Sequence, residues 1–140
     1  MKKLVFAVLF LFVLCGCAAK KRHPVAIGAE IFERQSFSVI DIPSHGAISD
    51  GLAIAVGGGA NSSNIRNKLL DIQKANDTKN VLVTSTNSLL AKTLLANAVK
   101  DLEPGSLASV YLVFAGNENH GKALQSIIEK TGARYERFIR

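Results

Sequence analysis

Apolar positions along this chain change rhythm twice. From Leu4 to Cys15 they run without interruption. From residue 25 onward they come in short bursts between polar and glycine-containing loops. The spans Val25–Phe32 and Ser36–Ile42 carry β-branched and aromatic residues at the density of strands. They predict two extended pieces joined through Glu33, Arg34 and Gln35 as a hairpin; a helical turn over residues 29–34 fits the same letters. Pro24 reads as the start of extended chain, since proline disfavours helix at the residue before it. Pro43, Ser44, His45 and Gly46 end the pattern.

The rhythm then becomes an alternation. Leu52–Val56 is a continuous apolar run and predicts a strand buried on both faces. Gly57–Ser63 follows as a loop, with Ser62 or Ser63 as the N-cap of a helix reaching about Ala75. In that helix Ile65, Leu69 and Ile72 share one face. Val81–Thr84 predicts a strand. Ser85–Ser88 turns into a helix over about Leu89–Leu102, whose apolar residues cover a broad arc. Pro104 and Gly105 stop it. Val110–Phe114 is the next strand, and Gly116–Gly121 leads into a helix with Leu124, Ile127 and Ile128 inward and Gly132 just past its end. Tyr135–Ile139 reads as a last strand. Strand, loop and helix thus recur three times within residues 52–132. This predicts right-handed βαβ crossovers and a small, three-layer-like α/β domain over residues 25–140. Its sheet is expected to be mainly parallel, with an antiparallel hairpin at the N-terminal edge.

The first 16 residues do not belong to that domain. Lys2 and Lys3 precede the apolar run, which at 12 residues is shorter than the roughly 20 needed to span a bilayer. A positive start, a short apolar stretch and small residues after it predict an export signal rather than a buried helix. Leu14-Cys15-Gly16-Cys17 resembles the lipobox of bacterial lipoproteins. The resemblance implies diacylglycerol transfer to the Cys17 thiol, cleavage between Gly16 and Cys17, and acylation of the new amino terminus. Ala18, in the position that sorts such proteins, implies the outer membrane, facing the periplasm. Ordinary cleavage after Ala19 is the competing expectation, since Cys17, Ala18 and Ala19 also satisfy a small-x-small rule. Residues 17–24 would then be a lipidated cysteine and a short basic tether.

Removing the leader changes the charge picture. The whole chain carries +6, but residues 17–140 hold 15 basic against 11 acidic side chains, a net +4. Lys20, Lys21 and Arg22 lie in the tether, so the folded part is almost neutral. A nucleic-acid surface is not expected. The tether cluster suits anionic headgroups, or simply keeps the tether solvated. Both cysteines fall in the leader and lipobox, so no disulfide and no cysteine metal site is expected.

Three loops, Gly57–Ser63, Thr84–Ser88 and Gly116–Gly121, would converge at the carboxyl ends of the predicted strands, where such sheets bind ligands. Candidate ligand-binding residues are Gly57, Gly58, Gly59, Asn61, Ser62, Ser63, Thr86, Asn87 and Asn117. Glycines admit close backbone approach, and a capped helix start offers N–H groups to an anion. The first loop lacks both the G-x-G-x-x-G spacing and the lysine of a P-loop. Asp77 sits in a polar turn, ill placed as a ribose partner. Tight βα turns account for the glycines better than nucleotide binding does, and no cofactor is expected.

The histidines are His23, His45 and His120. His45 lies near Ser44, Asp41 and Asp50, which suggests a Ser-His-Asp or metal-binding reading, although the spacing matches no motif. Glu118 and His120 could pair as acid and base, or simply cap a helix. Four Phe, two Tyr and no Trp after the leader stock the chain poorly for stacking sugars or bases. The leading expectation is a non-enzymatic accessory lipoprotein, bound to membrane lipid through Cys17, that binds another envelope protein. The alternative is a solute- or anion-binding module using Gly57–Ser63. A hydrolase using His45 or Glu118 with His120 ranks third.

Overall fold

Two apolar runs form the centre of the sheet in a computed structural model that describes residues 22–140. The helices and strands, in chain order, are α1 (Pro24–Ile31), β1 (Ser38–Ile42), α2 (Ala47–Ala55), α3 (Gly59–Lys74), β2 (Asn80–Ser85), α4 (Ser88–Val99), β3 (Tyr111–Gly116), α5 (Glu118–Lys130) and β4 (Arg134–Ile139). The four strands lie in the order β1-β2-β3-β4 and every pairing is parallel. The α/β class and the parallel sheet are as the alternation predicts.

Side chains of β2 and β3 alternate between two cores. Val81, Val83, Leu112 and Phe114 pack with Ile65 and Leu69 of α3, Leu94 and Leu95 of α4, and Leu124 and Ile128 of α5. Leu82, Val113 and Ala115 face the other way and pack with Ile27 and Phe32. Three helices therefore cover one face and α1 covers part of the other. Because the strand order never reverses, these strands form no switch point between helices on opposite faces, where open α/β sheets usually bind ligands.

The N-terminal hairpin is replaced by a helix and a parallel strand. Pro24 does hold His23 extended, at ψ 138°. Its own fixed φ, however, suits the first turn of a helix, and Ala26, Ala29 and Glu30 extend it. Glu33 and Arg34 then adopt positive φ, 48° and 66°, and turn the chain into β1. The predicted strand over Leu52–Val56 is likewise replaced by helix: Leu52–Ala55 form the second half of α2 and Val56 is its C-cap. A five-residue apolar run has no period of its own, and Ala47, Leu52, Ala53 and Ala55 all favour helix.

These changes shift the following loop. Gly57–Ser63 is a corner between α2 and α3, not a strand-to-helix turn. The helix begins at Gly59 with Gly58 in the left-handed region as its N-cap. Ser62 is already inside the helix, and its hydroxyl donates to the Gly57 carbonyl rather than capping the helix. Asn87 and Asn117 cap α4 and α5 with their side chains, and Gly132 follows the end of α5 at φ 85°.

Candidate functional site

The polar groups of interest gather at the carboxyl edge of the sheet. A cavity of about 310 Å³ opens at the end of β1, between α2, α3 and α4. Ile42, Ile65, Leu90 and Leu94 supply apolar lining, and Asp41, His45, Asn61 and Lys68 add polar and charged groups. Beside it Asp50, 3% exposed, projects from the first turn of α2. Its carboxylate accepts from the Ser44 hydroxyl at 2.5 Å, the His45 backbone N–H at 2.9 Å and the Asn87 amide at 2.7 Å. Asn87 in turn accepts from Leu90 N–H. One carboxylate thus ties the 43–46 turn and α2 to the start of α4.

This arrangement is not a Ser-His-Asp relay. The Ser44 hydroxyl donates directly to Asp50, and His45 contributes its backbone N–H rather than its ring. A catalytic serine needs the imidazole between hydroxyl and carboxylate. The Ser44 hydrogen bond, then the His45 N–H and Asn87, hold the Asp50 carboxyl below its ordinary value. Stability from a depressed carboxyl is present above its unfolded pKa, about 4, and is lost as pH falls through the folded value. Asp50→Asn is therefore expected to lower the melting temperature by several degrees at pH 7. It should also flatten the further loss between pH 4.5 and 3, read from melting curves across that range. Equal pH slopes in both proteins would show that Asp50 does not hold this corner.

A second cleft, about 210 Å³, is lined by Ser85, Thr86, Ser88, Gly116, Asn117 and Arg140. The Ser88 hydroxyl oxygen accepts from Asn117 N–H at 2.8 Å and lies 3.0 Å from His120 Nδ1, stitching the starts of α4 and α5 together. Arg140 donates to the Thr84 hydroxyl. Glu118 does not pair with His120. It turns to Lys122 at 2.7 Å, and that hydrogen bond lowers its carboxyl pKa.

The predicted ligand residues therefore separate. Thr86 and Asn117 share the second cleft. Asn61 reaches the first cavity, while Gly57, Gly58, Gly59, Ser62 and Ser63 stay at the helix corner. Asn87 is engaged with Asp50. His23 accepts from Val25 N–H at the start of α1. Lys68, Ser88 and Arg140 carried no local motif, and only the fold brings them to these clefts. Among the described residues no group of three or more His, Cys, Asp or Glu could hold a metal ion, and no helix is long and apolar enough to cross a membrane. Cys17 lies outside the described residues. The chain matches no family model, no curated protein and no solved structure.

Proposed function

We propose that the protein is a lipid-anchored lipoprotein of the cell envelope whose α/β domain is a non-enzymatic accessory module acting at the outer membrane. The lipobox supports the address. The observation that carries the binding role is the outer face of α2. Ile48, Leu52 and Val56 succeed one another at four-residue intervals and are 83%, 65% and 74% exposed. Single exposed apolar residues are ordinary, but three in one row form a patch that invites a covering surface. Between His45 and Arg66 the one charged residue, Asp50, is buried.

The address is tested by the intact mass of protein extracted from native membranes, beside a Cys17→Ser variant. A chain that starts at Cys17 and carries acyl mass is expected. A bare chain starting near Lys20 would overturn the reading.

A second reading is favoured by the cavity beside β1. Asp41 and Lys68 offer opposite charges beside an apolar lining, which suits a small zwitterion better than the simple anion expected of Gly57–Ser63. Free amino acids would then raise the melting temperature of the protein, and Lys68→Ala would remove the rise. No response across such a panel would dismiss this reading.

A further inference from the structure

The large apolar residues exposed on the described part of the molecule are Val25, Ile48, Leu52, Val56, Leu89 and Ile139. They are not scattered. Ile48, Leu52 and Val56 form the outer row of α2, which follows the carboxyl end of β1 and is tied through Asp50 to Asn87, just past the carboxyl end of β2. Leu89 lies in the first turn of α4, beside the same edge, and Ile139 is the last residue of β4. Val25 opens α1. That helix ends at the amino edge, where Phe32 packs edge-on against Tyr111, the first residue of β3. Its start is therefore directed toward the carboxyl edge. Exposed charges stand at both edges, Asp77, Lys100, Glu103 and Lys130 at the amino edge and Asp41, Glu118 and Lys122 toward the carboxyl edge, so it is the apolar row that sets the carboxyl edge apart.

From this placement we infer that the carboxyl edge faces a lipid bilayer and that α2 lies in its interface, with Ile48, Leu52 and Val56 seated at the boundary of headgroups and acyl chains. The inference rests on the lipid-anchor reading and names the surface that covers α2. Interfacial helices bury an apolar face at the boundary of headgroups and acyl chains; α2 has no exposed charged face of its own, and the domain behind it holds the rest of the helix out of the lipid. Here Asp50, hydrogen-bonded to Ser44, His45 and Asn87, pins the opposite face, so the apolar row cannot roll inward.

The tether sets the distance. Pro24 lies seven residue steps from Cys17, so even fully extended chain spans only about 25 Å. The acylated cysteine therefore holds the start of α1, and the edge to which it points, beside the bilayer. Lys20 and Lys21 in the tether and Arg140 just past β4 would meet anionic headgroups at that level, while Arg22 turns back to pair with Glu30 in the last turn of α1. Several acyl chains on Cys17 would already anchor the protein durably, so the α2 row orients the domain on the bilayer rather than holding it there.

The test uses the full-length protein purified from membranes and reconstituted in phosphatidylethanolamine–phosphatidylglycerol vesicles. With Cys17 acylated and the leader removed, Leu52→Cys introduces the one reactive thiol, which takes an environment-sensitive fluorophore. Glu129→Cys, on the exposed last turn of α5, serves as the distant control. The label at position 52 is expected to shift to the blue and to be quenched by nitroxide-bearing lipid, and the label at 129 to do neither. Adding Ile48→Ser and Val56→Ser should abolish the shift at 52 while leaving the melting temperature unchanged, because these side chains are outside the core. An acylated chain whose position 52 emits as in water would overturn the inference and leave the anchor reading standing. A label shielded from water but untouched by lipid quencher would also overturn it, by showing that a protein, a second copy or another envelope component, covers the row. A bare chain by intact mass would remove the anchor reading and this inference together.

Discussion

Gly58→Val is expected to cost about 2–5 kcal/mol, a large share of the stability of an ordinary domain. Two causes add. Gly58 has φ +78°, a left-handed conformation that costs an L-residue roughly 1–2 kcal/mol and a β-branched one more. A Cβ there would stand 1.8 Å from Leu94 Cδ2 and 2.8 Å from Ser62 Oγ. Leu94 is 2% exposed and held within the core, so the clash falls on packed atoms. Gly58 also closes α2, its N–H donating to the Ala53 carbonyl at 2.8 Å. Three helices meet at this residue. A urea midpoint near that of the unmodified protein would mean that the α2–α3 corner is not seated on α4. Gly51→Ala gives the opposite sign. Gly51 lies mid-helix in α2 with open space where a Cβ would go, and alanine there should stabilise by about 0.5–1 kcal/mol. Gly58 is consequently a poor probe of ligand binding, because its loss acts on the fold. Asn61, exposed and lining the cavity, is the better one.

The contrast between these glycines marks where the sequence is legible. The run Val81–Thr84 lies inside β2 and the run Val110–Phe114 enters β3 at Tyr111, because strands buried on both faces need continuous apolar residues. Asn117 is a cap by type, and the arc from Leu90 to Val99 belongs to a helix buried broadly. The front of the chain is less legible. Val25–Phe32 mixes β-branched with helix-favouring residues, and proline's position at N1 decides the outcome. Leu52–Val56 is too short to show a period. That single reassignment carries Gly57–Ser63 from the sheet edge to a corner between helices, and the expected anion loop goes with it. The Asp50 hub is legible only in part. Ser44 stands six residues before it, within local reach, but Asn87 is 37 residues away and arrives through the fold. The exposed row on α2 is not legible for the same reason, since in a strand Leu52 and Val56 would be interior.

Phe32→Ala should be the other costly substitution, at about 3–5 kcal/mol for a buried aromatic. Phe32 is 3% exposed. It stacks on Phe37 and packs edge-on against Tyr111, with ring centroids 5.4 Å away in both cases. Together with Ile27 it fastens α1 over Leu82, Val113 and Ala115. The loss is expected to be local first, with faster amide exchange over residues 26–32 and faster tryptic cleavage at Arg34 at temperatures where the rest of the domain is folded. The consequence at the membrane follows from chain length. With α1 docked, the domain begins seven residue steps from the anchor. With α1 released, the leash runs from Cys17 to about Phe37, and its extended span grows from about 25 Å to about 70 Å. Quenching of the position 52 label by lipid should then weaken although α2 itself is unchanged. If instead α1 keeps its protection up to global unfolding, it is an integral part of the core. The anchor would then act on the whole sheet at once, with no separable bracket between them.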